Sequence, residues 1–217
     1  MLKQIILVWA IISSINCNSL LNKEKKIKKL THEEVIVNIP LNNAGDTSLF
    51  YKTKTKLADE LKLESLEKGY NSLQIRIWLG YGTLIKQQLI IIKQEENNWS
   101  GNIIVMTMKE DSKNDQQLIA KKTIKKVTPR SGWENLIKKL TELNIFTLPN
   151  CDDIKGMNTA GGDLNVYKFE IATPKLYRFY YYIQPDLYVD EFIEARKVEE
   201  ILKVLEIELN FKMLQNK

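Results

Sequence analysis

Leu73–Leu79 reads LQIRIWL, and its alternation decides the fold class. Leu73, Ile75, Ile77 and Leu79 face one way, and Gln74, Arg76 and Trp78 face the other. A period of two over seven residues is the mark of a half-buried strand. Gly80-Tyr81-Gly82 then turns the chain. Leu89–Lys93 (LIIIK), Trp99–Met108 and Leu118–Val127 read as three more strands, separated by polar turns at Glu95–Asn98 and Asp111–Asp115. Turn signals at this spacing predict an antiparallel meander.

Upstream of this run, Val35–Ile39 (VIVNI) reads as a short strand closed by Pro40. The stretch 42–55 reads mostly as loop, and Leu57–Lys68 as a short helix stopped by Gly69. After the meander, Pro129-Arg130-Ser131-Gly132 breaks the pattern. Ser131 and Glu134 have the spacing of a capping box, in which each side chain satisfies a free amide at a helix start. Trp133, Leu136, Ile137, Leu140 and Leu143 follow at helical spacing. Val166–Ala172 and Leu176–Ile183 flank Thr173-Pro174-Lys175 as a hairpin. Asp190–Leu209 closes the chain as a long amphipathic helix, with Phe192, Ala195, Val198, Leu202, Leu205 and Leu209 on one face. The order is meander, helix, hairpin, helix. It predicts an α+β fold: an antiparallel β-meander and hairpin with two amphipathic helices packed on one face.

The N-terminus carries an address. Lys3 precedes the apolar run Ile5–Ile12 (IILVWAII), and Cys17 follows Ser13-Ser14-Ile15-Asn16. The run is too short to span a bilayer, which needs about 20 apolar residues. It reads as an export signal, residues 1–17, of the lipoprotein type, with Cys17 the lipidated residue. Such signals favour Leu three places before the cysteine and a small residue one place before it, whereas this chain has Ser14 and Asn16. The other reading is an ordinary secretory signal cut near Ser14, leaving Cys17 to pair with Cys151. Asn18–Leu30 (NSLLNKEKKIKKL) is lysine-rich, so 18–34 reads as a tether and 35–217 as a single domain. Lysines in such a tether attract anionic lipid at ~1 kcal/mol each near the surface.

Composition limits the function. The chain has 217 residues, enough for one sizeable core. Its net charge of +5 comes almost wholly from lysine. The arginines are Arg76, Arg130, Arg178 and Arg196 alone, and base recognition leans on the guanidinium fork, so no nucleic-acid partner is expected.

Three groups carry candidate chemistry. Arg178, Tyr180 and Tyr182 share one face of the hairpin strand, and an exposed Tyr/Arg face suits protein or glycan contacts. Arg76 and Trp78 share the outward face of the first meander strand as a second such patch. Asp152, Asp153 and Asp163, in the long loop 150–164, offer hard oxygen ligands to a metal such as Ca²⁺. Glu170 is placed to pair with Arg178 across the hairpin. Cys151 lacks a base, because the one histidine is His32, on the tether side of the chain. No catalytic residue and no cofactor is called for.

Leu73–Trp78 (LQIRIW), Trp133–Leu140 (WENLIKKL), Tyr167–Ala172 (YKFEIA) and Tyr177–Pro185 (YRFYYYIQP) resemble segments of uncharacterised lipoproteins of Bacteroidetes-type bacteria, over about residues 60–209. The resemblance implies a surface or periplasmic lipoprotein and no known activity. The first expectation is a non-catalytic, lipid-anchored binding domain of the cell envelope, with the outer membrane as its place. Secretion into the periplasm or medium is the alternative location. Alternative functions are a secreted carboxylate- or metal-dependent hydrolase using the 150–163 loop, and an immunity or inhibitor lipoprotein.

Overall fold

The computed structural model describes residues 34–42, 44–80, 85–111, 116–157 and 165–214. The segments read as export signal and tether, up to Glu33 and including Cys17 and His32, lie outside the described residues, as does Asp163. All the described residues belong to the unit that begins at Glu34.

Among the described residues the chain is α+β. Seven strands form one sheet: β1 (Ile36–Asn38), β2 (Leu73–Leu79), β3 (Lys86–Glu95), β4 (Asn98–Asp111), β5 (Gln116–Val127), β6 (Val166–Ala172) and β7 (Leu176–Ile183). Their order is β1-β7-β6-β2-β3-β4-β5. β2 to β5 form the expected meander, and β6–β7 the expected hairpin, which joins the sheet by pairing β6 antiparallel to β2. The β1–β7 pair is parallel. The helices are α1 (Leu49–Glu60), α2 (Trp133–Glu142) and α3 (Ile193–Leu209), with 3-10 turns at Cys151–Asp153 and Pro185–Tyr188.

The alternation of β2 sorts the core. Ile75, Ile77 and Leu79 join Ile90, Ile92, Ile103, Phe169 and Ile171 in one apolar cluster with Leu136 and Leu140 of α2 and Ala195, Val198, Ile201, Leu202 and Leu205 of α3. Trp78, from the alternate positions, joins Leu89, Ile91, Ile104 and Met106 in a second cluster with Leu57 and Ala58 of α1 and Leu61 at its C-terminal end. The face that carries Gln74, Arg76 and Trp78 is therefore not open to solvent, because α1 and the segment that follows it lie over it.

Three local readings are corrected. The helix read at 57–68 lies at 49–60. Ser48 caps it by accepting from the Tyr51 amide at 3.2 Å. It ends in a Schellman-type turn, with the Leu63 amide donating to the Ala58 carbonyl and Lys62 at φ 58°. Leu66 then reaches the core from a loop. The capping box at Ser131 does not form. Gly132 is the N-cap, because the Ser131 amide donates to Glu208 Oε2 at 2.9 Å and the Arg130 amide to the Glu208 carbonyl at 2.9 Å. The last helix begins at Ile193 rather than Asp190.

Gly101 of β4 has a packing role. A Cβ there would lie 2.4 Å from the ring of Trp133, so the missing side chain makes the space in which α2 docks. Trp133 in turn stacks near-parallel on Trp99, with centroids 6.2 Å apart.

Candidate functional site

The side chains with the most chemistry lie between α1 and the sheet. Alternation on β2 and β6, set in register Arg76↔Glu170 and Trp78↔Lys168, brings Arg76, Trp78, Lys168 and Glu170 to the α1 side. Phe179 and Tyr177 of β7 come to the same side through Glu170↔Phe179 and Ala172↔Tyr177. From above, α1 lowers Lys54 into the group. Lys54, Gln74, Arg76, Lys168 and Glu170 are each at most 4% exposed.

Glu170 is the hub. Lys54 Nζ donates to Oε1 at 2.9 Å, the Tyr177 hydroxyl donates to Oε1 at 2.9 Å, and Trp78 Nε1 donates to Oε2 at 2.7 Å. Lys54 also lies 3.2 Å from the Tyr177 hydroxyl. Its ammonium sits 4.1 Å from the Tyr51 ring centroid, 5.5 Å from Phe179 and 5.8 Å from Tyr177, an aromatic surround that suits a desolvated cation. Arg76 Nη2 donates to the Glu64 carbonyl at 3.0 Å, while its buried Nε has no partner among the described residues. Burial pushes its guanidinium below the usual arginine value, against the attraction of Glu170 and Glu64. Burial, and then Lys54, pushes the Lys168 ammonium down to about 7, with Glu170 opposing. Burial and the neighbouring Glu170 push the Tyr177 hydroxyl well above its ordinary range. Three basic side chains thus share one carboxylate that is already occupied on both oxygens. The arrangement fixes α1 to β6 and β7, and it seals Glu170 from the substrate and water that acid–base work requires.

The binding residues expected on the sheet faces are corrected. Trp78 is 1% exposed, packed against Leu57 and Ala58 of α1, and Arg76 is 2% exposed, held by Glu64 of the segment that follows α1. Tyr180 is 1% exposed and Tyr182 0%, because they belong to the core shared with α2 and α3. Arg178 is half-buried, over the Tyr180 ring at 4.7 Å, and donates to the carbonyls of Phe146 (2.8 Å) and Leu148. The Tyr180 hydroxyl donates to the Ile145 carbonyl at 2.6 Å. These contacts tie the segment after α2 to β7. Glu170 and Arg178 do not pair, since Arg178 stands opposite Ile171 and faces the other side of the sheet.

The acidic loop is also partly tied down. The Asp152 carboxylate accepts from the Tyr181 hydroxyl and lies 3.6 Å from Cys151 Sγ, while Asn150 Oδ1 accepts from the Tyr181 amide at 3.0 Å. Among the described residues no three His, Cys, Asp or Glu side chains are placed to hold a metal ion. Asp153 follows in the 3-10 turn, and the third expected ligand, Asp163, lies outside the described residues. Cys151 has a free, fully buried thiol that burial and Asp152 push up, away from thiolate chemistry.

The exposed concentration of charge lies elsewhere. β5 is a sheet edge, pairing with β4 alone among the described strands. Every residue from Ala120 to Lys126 is exposed, and Ile124 is 60% exposed. Lys121, Lys122, Lys125 and Lys126 fall in this run, and no Asp or Glu occurs in Gln116–Val127. Register places Lys121 and Lys125 toward the α2–α3 side and Lys122 and Lys126 toward the α1 side. Among the described residues none of the four is ion-paired, and Lys125 donates only to the Asn210 carbonyl, at 3.3 Å. Sequence reading gives the strand Leu118–Val127 without making its lysines a site. The signal is the alternation-breaking KKTIKK itself.

No protein family, curated protein or solved structure matches this chain.

Proposed function

We propose that this chain is a lipid-anchored protein of the cell envelope whose folded domain works by binding rather than by catalysis. Export and lipidation rest on residues 1–17, with Cys17 as the acylated residue and 18–34 as the tether. The observation that carries the binding role is the β5 edge, a solvent-facing run with an exposed isoleucine and four lysines that make no ion pair among the described residues. Two carboxylates are engaged within the fold: Glu170 with Lys54, Tyr177 and Trp78, and Asp152 with Tyr181. That engagement is why binding is preferred to the carboxylate-dependent hydrolase.

The test is site-specific photocrosslinking in the native envelope. A crosslinker at Thr123 on β5 is compared with one at Lys203 on α3, both exposed. The proposal expects a discrete envelope adduct from position 123 and little from 203. Equal, diffuse labelling from both positions contradicts it.

A further inference from the structure

We infer that the β5 edge is a docking surface for anionic lipid headgroups, so that the domain lies against the bilayer to which it is tethered. The inference rests on the envelope reading above and names the partner of that same surface.

Three observations favour a lipid surface. First, the charge is lysine alone, on both sides of one strand. Lysine presents a mobile point charge without the planar fork that reads a defined carboxylate, which suits a dense, fluid anionic surface. Second, Ile124 stands exposed between Lys122 and Lys126 on the same side, an apolar contact flanked by cations. Third, the edge is blunted against a partner strand. The register slips between Thr107 and Met108, where Ala120 is the extra residue of β5, and Glu60 Oε2 of α1 accepts from the Ile119 amide at 3.0 Å. A bulge and an occupied amide both disfavour strand addition. The side chains remain available.

The chain length permits it. The tether enters at β1, the opposite edge from β5. Six strand spacings of ~4.8 Å put the two edges ~29 Å apart. The sixteen residues from Asn18 to Glu33 can reach at most ~55 Å when extended. A lipid on Cys17 therefore does not prevent β5 from reaching the same leaflet.

The experiment uses the full chain with Cys17→Ser, so that no acyl group contributes. Flotation is measured with vesicles of phosphatidylcholine alone and of equal parts phosphatidylcholine and phosphatidylglycerol. The variant K121E/K122E/K125E/K126E is compared with K62E/K68E/K138E/K203E, which changes net charge equally at exposed sites elsewhere. Circular dichroism checks that both fold. Each lysine near an anionic leaflet strengthens partition about five-fold, so the edge variant is expected to bind mixed vesicles at least ten-fold more weakly and the control variant much less so. Equal losses in the two variants overturn the inference, as does wild-type binding that ignores phosphatidylglycerol. Lysine-dependent retention on immobilised polyglutamate without flotation overturns it in favour of an acidic polypeptide. Because the acyl group is absent throughout, the outcome is independent of whether Cys17 is lipidated in the cell.

Discussion

Lys54 and Glu170 lie 116 positions apart in the chain, yet Lys54 Nζ sits 2.9 Å from Glu170 Oε1 with both side chains sealed from water. A charge removed from water costs several kcal/mol, and only close partners offset it. Glu170 is bonded to Lys54 and also attracts Arg76 and Lys168, so the two members of the pair are not equivalent. Lys54→Met leaves Glu170 with Tyr177 and Trp78 as donors. Glu170→Ala takes from three basic groups the buried carboxylate they share. We expect Glu170→Ala to cost about 3–5 kcal/mol and Lys54→Met clearly less, by urea unfolding. Equal costs would refute the hub role of Glu170.

Lys168 makes stability depend on pH. Its folded value is lowered from 10.5 to about 7, chiefly by burial. Between those values the unfolded chain binds more protons than the folded one. Stability must therefore rise with pH across that window, by up to about 1.4 kcal/mol per pH unit for one full proton. Below about 7 the unfavourable contribution is constant. Lys168→Met should flatten the alkaline limb of the stability curve. A limb unchanged in that variant would assign the effect to another group.

Glu199 acts on the acid side. Burial, Asp186 and Glu206 raise it from 4.5 to about 7. Here the folded chain holds the extra proton, so the contribution to stability is fully present below the unfolded value and is lost as pH rises through the folded one. The group is partly exposed, so the effect is small. Glu199→Gln should reduce the fall in thermal midpoint across that range. A larger fall in the variant would show the sign to be wrong.

Gly101 and Trp133 form a size-matched pair. Gly101→Ala places a methyl group where the Trp133 ring lies, and overpacking of this kind costs about 1–3 kcal/mol. In a Trp133→Leu background the same change should cost much less, which a double-mutant cycle measures. An additive cycle would mean that the strain lies elsewhere.

The strands are the legible part of this chain. Leu73–Leu79, Val166–Ala172 and Leu176–Ile183 match their expected bounds, because alternation and turn residues are local signals. Alternation also places Arg76 with Trp78, and Arg178 with Tyr180 and Tyr182, correctly on shared faces. It does not say which faces are covered. That depends on which helix lands there, and α1 escapes a sequence reading because its inner side carries Lys54 beside Tyr51 and Leu57. A lysine in a polar run reads as surface. Its burial is intelligible only once Glu170 is known to lie beneath it, and that depends on the pairing of β2 with β6, which lie far apart in the chain. The parallel β1–β7 pair is equally non-local. The lysines of β5 are legible as residues and not as a site, because only the strand order makes β5 an edge.

Lipidation at Cys17 can be read directly. The chain is purified from the envelope of its own cell, and its N-terminal peptide is analysed by mass spectrometry. The mature chain is expected to start at Cys17 and to carry acyl groups there. A free thiol at Cys17, a Cys17–Cys151 disulfide, or an intact Met1 start would contradict it.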